Sequence, residues 1–239
     1  MTENSEPVWQ SLAEQCMYQF PDLTTIDPEL EDLITAGADL HPSTLLYAYS
    51  HGYFPMHVNA DEQGQEKLLG WFSPKSRAIF PTNSLRITRS MKQSFKKYEC
   101  CIDTCFKEMM EMCRTVPRPL GWIDDEFIKS YVRLHELGFA HSIEVFKEDE
   151  LVGGLYGVGF AGFFAGESMV HTKRDASKVA LMHLVEIASK IGVSLIDAQW
   201  MTDHLRSLGA IEVTRPRYLE LLRESLENDV TWPSAGKLV

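Results

Sequence analysis

The sequence predicts an α+β fold: a small acidic N-terminal domain over residues 1–70, and a larger domain over residues 71–239 built on a mixed, largely antiparallel sheet under helical cover. Three observations predict it. Residues 1–66 hold twelve acidic residues and no Lys or Arg, so a chain of net charge −11 carries +1 on everything that follows. Residues 141–158 read as two strands around a polar turn, with a third strand next. A helical pattern over 176–190 then runs into a short apolar segment, which places one more strand beyond a helix.

The elements follow in order. Pro42 and Ser43 open a short helix through LLYAYSHGYF (45–54), and Gly52 closes it. The polar stretch NADEQGQEK (59–67) reads as an exposed loop. Asp124 or Asp125 caps a helix that runs to about Leu137, where Gly138 stops it. HSIEVF (141–146) alternates, KEDE (147–150) makes the turn, LVGGLYGV returns, and residues 162–169 form the third strand. Leu181, Leu184, Val185 and Ala188 share one face of the next helix, with Asp175 as its N-cap and Gly192 as its stop. VSLIDA (193–198) is a buried strand, and residues 216–228 close the chain as an amphipathic helix with Pro216 in its first turn.

Composition removes several classes. The apolar run 151–166 contains six glycines and is too short to span a bilayer, and the acidic N-terminus has neither half of a secretory signal, which points to the cytoplasm. Cys16, Cys100, Cys101, Cys105 and Cys113 form no Cys-x-x-Cys pair, and no histidine stands at a ligand spacing; reduced thiols and no metal are expected. The acidic total does not exclude nucleic acid. RITRSMKQSFKK (86–97) carries Arg86, Arg89, Lys92, Lys96 and Lys97 with no acid, which suits a phosphate-facing surface or, equally, a solvated helix face.

Two strand ends carry candidate chemistry. Asp197 and Gln199, at i and i+2, leave the strand on one face, so the carboxylate is expected to orient the amide and leave its oxygen to accept a bond from an amine. Glu167 closes the preceding apolar strand directly after a glycine. Such groups make either an amine-handling site or plain polar strand ends facing solvent.

The order of motifs is more specific than any of them. LLYAYSHGYFP, WFSPKSR, ITRSMK, LHELGFAHSIEVFKEDE, LVGGLYGV, FAGESM, ASKVAL, LIDAQ and HLRSLGA follow one another over roughly residues 40–220, and in this the chain resembles the leucyl/phenylalanyl-tRNA–protein transferase family. The resemblance implies a GNAT-like acyltransferase domain. It also implies transfer of Leu or Phe from aminoacyl-tRNA to proteins with N-terminal Arg or Lys, which marks them for N-end-rule degradation; an activated ester needs no cofactor, and nothing in the sequence demands more than a monomer. Carried onto this sequence, it implies Asp197, Gln199 and Glu167 as catalytic, and Leu155, Phe164, Met169, Leu181, Leu184 and Ile196 as the donor side-chain pocket. Trp122 would stack on the terminal adenosine, with Met56 standing where the family often has a second tryptophan; Arg89, Lys92, Lys96 and Lys97 would meet the tRNA. Two other readings stand beside it. A GNAT-type acyl-CoA transferase would want a Gly-rich turn before the helix at Ala176, where this chain has HTKRD. A non-catalytic tRNA- or peptide-binding homologue would have no chemical use for all three polar residues.

Overall fold

The computed structural model describes residues 7–59, 67–116 and 123–238. Along the chain run α1 (Val8–Ala13), β1 (Leu33–Ala36), α2 (Pro42–Ser50), β2 (Phe54–Asn59), β3 (Lys67–Phe72), β4 (Ser76–Ile79), α3 (Arg89–Phe95), β5 (Glu99–Ile102) and α4 (Phe106–Arg114). They are followed by α5 (Asp125–Glu136), β6 (Ala140–Lys147), β7 (Glu150–Phe160), β8 (Phe163–His171), α6 (Ala176–Ile191), β9 (Leu195–Gln199), α7 (Asp203–Leu208), β10 (Ile211–Thr214), α8 (Arg215–Leu226) and β11 (Gly236–Leu238).

The acidic N-terminal part forms its own small antiparallel sheet in the order β1-β3-β2. That sheet ends at Phe72, and the large sheet takes its first strand at Ser76. The large sheet has eight strands in the order β10-β4-β9-β8-β7-β6-β5-β11. Every pairing within it is antiparallel except β8 with β9. Those two can be parallel because α6 spans the return between them, as a parallel crossover requires.

Period-2 alternation divides the core between the sheet's faces. Tyr156, Val158, Phe163, Ala165 and Leu195 pack with α2, α4, α5, α8 and the small sheet. Val152, Leu155, Phe164 and Ile196 pack with α3 and α6. The alternation is interrupted at Val152 on β7, between β4 and β9, and, at the point that matters most, on β8. Gly157 pairs with Gly166 and Tyr156 with Ser168, so Glu167 is an extra residue, a β-bulge on β8. Glycine is needed opposite it, since a Cβ on Gly157 would lie 2.1 Å from the Ala165 carbonyl oxygen.

Most expected elements form within a residue or two of their bounds, and two caps act as read: Asp124 accepts from the amides of Glu126 and Phe127, and Pro216 lies in the first turn of α8. Asp175 is a correction. It stands at the N-cap position of α6 but in the left-handed region (φ +63°), and its side chain caps nothing. The carboxylate instead accepts from Ser90 Oγ (2.5 Å), Ser94 Oγ (3.3 Å) and Lys178 Nζ (3.0 Å), which fastens α3 to the start of α6.

Candidate active site

β8 and β9 stay together for three residue pairs only, the last being Ala165 with Asp197. Beyond it β8 continues along β7 to His171 while β9 stays with β4 to Gln199, and the two parallel strands part. The parting opens a cavity of about 330 Å³, at the small end of the roughly 300–1,000 Å³ usual for small-molecule sites. Five of the six expected pocket residues line it: Leu155, Met169, Leu181, Leu184 and Ile196, joined by Phe80. Phe164 does not. It is fully buried on the same sheet face as Leu155 and Ile196 but lies further back along β8, where the strands are still paired, with its ring over Gly157 and 5.3 Å from that of Trp232.

The bulge determines which β8 side chain goes where. It lets Glu167 turn toward the tyrosines of α2 and α5, and it shifts the alternation so that Met169, rather than Ser168, shares the cavity face with Leu155. Glu167 Oε1 accepts from Gln199 Nε2 (3.0 Å) and from Tyr49 OH (2.7 Å). With its proton so used, the Tyr49 hydroxyl accepts from Tyr131 OH at 2.6 Å. Burial pushes the Glu167 carboxyl up to about 7, the nearby Asp197 charge adds to this, and the bonds from Tyr49 and Gln199 hold it back. Tyr49 and Tyr131 are themselves held well above the usual phenol range, first by burial and then by the Glu167 charge, so both serve as neutral donors.

Asp197 is wholly buried and fully engaged. It accepts a bidentate pair from Arg77, Nε at 2.9 Å and Nη2 at 2.5 Å, together with Tyr218 OH (2.9 Å) and the backbone amide of Gln199 (2.8 Å). The Arg77 guanidinium lies between the rings of Phe54 (4.6 Å) and Tyr218 (4.4 Å), so the ion pair ties the small sheet, the large sheet and α8 together. Burial opposes that positive charge, and Asp197 more than offsets it.

This corrects the side-by-side expectation for the two residues. Gln199 has φ +61°, which breaks the strand's alternation and turns its amide toward Glu167. Asp197 holds the Gln199 backbone, and Glu167 orients the side chain. The Gln199 NH2 is thereby committed and its amide oxygen is left to accept from an incoming amine.

The remaining expected residues lie elsewhere. Arg89, Lys92, Lys96 and Lys97 are exposed on and just after α3, which Thr88 caps through the Met91 amide. Met56, on β2, is half-buried against the core of the small sheet. Trp122 lies outside the described residues. Sequence reasoning missed Arg77, Tyr49, Tyr131 and Tyr218. Arg77 and Tyr49 stand inside the motifs WFSPKSR and LLYAYSHGYFP. Their partners are 120 and 118 residues away, beyond the reach of any local pattern.

Comparisons agree along the chain. The family model for the leucyl/phenylalanyl-tRNA protein transferase matches residues 79–223, and that for its N-terminal domain matches residues 38–75. A leucyl/phenylalanyl-tRNA–protein transferase from Herpetosiphon aurantiacus is 43% identical over 81% of this chain and 98% of its own. One from Legionella pneumophila is 42% identical over 88% and 92%, and one from Syntrophotalea carbinolica is 39% identical over 97% and 98%. Among solved structures, L-PGS from Bacillus licheniformis covers 68% of this chain and 54% of its own at 13% identity, with a TM-score of 0.36. With both family models matched in order and the polar cluster intact beside its apolar cavity, the chain belongs to the leucyl/phenylalanyl-tRNA protein transferase family of enzymes.

Proposed function

We propose that this chain transfers leucine or phenylalanine from aminoacyl-tRNA to the α-amine of proteins that begin with Arg or Lys. One observation carries the reading: an apolar cavity of about 330 Å³ opens beside a glutamine amide that a buried carboxyl holds in place. The aminoacyl ester is already activated, so the work is to align ester and amine and to move one proton. The donor's side chain enters between Leu155, Met169, Leu181, Leu184 and Ile196. The acceptor amine donates to the Gln199 oxygen, and its nitrogen attacks the ester carbonyl. As the new C–N bond forms and the C–O bond to the ribose breaks, Glu167 takes the amine proton and returns it to the departing 3′ oxygen, ending in the protonation state in which it began. Asp197 is a positioning residue here, since Arg77 and Tyr218 occupy it. The acidic N-terminal part draws the cationic acceptor toward the site.

The same reading makes the larger part of the chain GNAT-like, supported by three antiparallel strands, a crossover helix and a parallel strand that splays away. It gives residues 1–70 and 71–239 as the domains. It makes the chain a cytoplasmic monomer; among the described residues no helix is long and apolar enough to cross a membrane. The deciding experiment offers radiolabelled leucyl- and phenylalanyl-tRNA, each in turn, with a peptide beginning in Arg. Label on the peptide supports the reading. tRNA binding with no transfer overturns it in favour of a non-catalytic homologue.

A further inference from the structure

A second cavity adjoins the first. Its volume is about 460 Å³, and Thr88, Ser90, His171, Arg174, Lys178 and His204 line it together with Asp175. His204 lines the apolar cavity as well, so the two share a wall. Four separate parts of the chain meet here: the start of α3, the loop after β8, the first turn of α6 and the start of α7.

The charges in this cavity are not balanced. Its one carboxylate, Asp175, is buried and already accepts from Ser90, Ser94 and Lys178. Arg174 is 84% exposed, with Nε 3.7 Å from Asp175, and most of its donors face solvent. Burial disfavours the charged form of His204, and the positive charges of Lys178 and His171 add to that effect. Cations gathered closely enough to repel one another around an opening are relieved by a bound anion. Beyond the opening, the bonds from Ser90 and Ser94 to Asp175 bring α3, with exposed Arg89 and Lys92, up beside it. A basic track thus runs outward from the wall of the apolar cavity.

We propose that this second cavity holds a phosphodiester of the donor's single-stranded 3′ end, seated next to the cavity that takes the transferred side chain. Arg174, Lys178 and His204 are its ligands, and the hydroxyls of Thr88 and Ser90 lie at its rim. The proposal rests on the aminoacyl-tRNA reading and adds a site that fixes the direction in which the nucleic acid leaves the ester. A single-stranded end has little shape to recognise, so a point contact on its backbone next to the reacting group is an economical way to orient it.

Three non-hydrolysable probes test it on the whole chain, all carrying phenylalanine in amide linkage to the terminal ribose. They are the nucleoside alone, a CCA trinucleotide with phosphodiesters, and the same trinucleotide with neutral methylphosphonates. The phosphodiester form is expected to bind about tenfold tighter than the methylphosphonate form at low salt. Arg174→Gln and Lys178→Met are each expected to remove most of that gain without changing affinity for the nucleoside. Arg174 is exposed enough that its variant tests the idea even where the Lys178 change loosens α6. Equal binding of the two trinucleotides, or a gain undiminished in both variants, overturns the proposal. So does acetyl-CoA binding more tightly than the phosphodiester trinucleotide, which would assign the cavity to the phosphates of a thioester donor. Failure of the nucleoside itself to bind would instead count against the aminoacyl-tRNA reading, and the proposal would fall with it.

Discussion

Glu167→Gln isolates the one carboxyl whose ionisation the fold makes costly. In the unfolded chain this group titrates near 4.5, and in the folded chain burial raises it to about 7. The sign follows from which state holds the proton longer. Between pH 4.5 and 7 the folded state keeps it and the unfolded state does not, so stability falls as pH rises through that window and levels off above 7. A difference of about 2.5 units at about 1.36 kcal/mol each gives a loss of roughly 3 kcal/mol. The substituted glutamine has the same shape, can still accept from Tyr49 and Gln199, and has nothing to ionise. Urea unfolding followed at pH 5 and pH 8 should therefore show the variant gaining about 3 kcal/mol on the wild type across the interval, or about 6–12 °C in Tm for a chain of this size. Over the same range transfer should slow by about 10²–10⁴-fold, because the proton acceptor is gone. A stability difference that is the same at both pH values would refute the reasoning, for it would mean that Glu167 is ionised throughout. Unimpaired transfer would remove it as the base.

Gln199→Ala should slow transfer by about 10²-fold and leave tRNA affinity unchanged, since the amide meets the attacking amine and not the nucleic acid; equal losses in both assays would remove its assigned role. Arg77→Met leaves Asp197 buried without its countercharge and should cost about 3–5 kcal/mol in chemical denaturation, part of it restored by adding Asp197→Asn. Gly157→Ala pushes a methyl into the Ala165 carbonyl and the Phe164 ring; it should cost about 3 kcal/mol in thermal unfolding and reduce transfer further than that loss explains, because the bulge carrying Glu167 must move. Lys96→Ala with Lys97→Ala should lower the salt slope of tRNA binding by about 2, and an unchanged slope would make α3 an ordinary solvated face.

Local signals were enough for the elements that bound the site. Strand alternation around KEDE, the apolar face of 181–188 and the stop at Gly192 are short-range statements about the backbone, and β6, β7, β8, α6 and β9 formed where they pointed. The short strands β1, β4, β10 and β11 carried no such signal, because an edge or short strand is defined by what it pairs with. For the site, the strand ends of the sequence supplied the three polar residues, and the family resemblance supplied six pocket residues, five of which line the cavity. It misjudged how they relate. A two-residue spacing places side chains on one face only while the strand is regular, and both strand ends break that condition, Glu167 by a bulge and Gln199 by a left-handed φ. Tertiary structure alone decided that Asp197 is consumed by Arg77 and Tyr218, that Tyr49 and Tyr131 back Glu167, and that burial brings that carboxyl to the pH at which it can exchange a proton. The reason is physical: desolvation and ion pairing depend on what surrounds a group in space, and here the surroundings come from residues on other elements, 21 to 120 positions away from their partners.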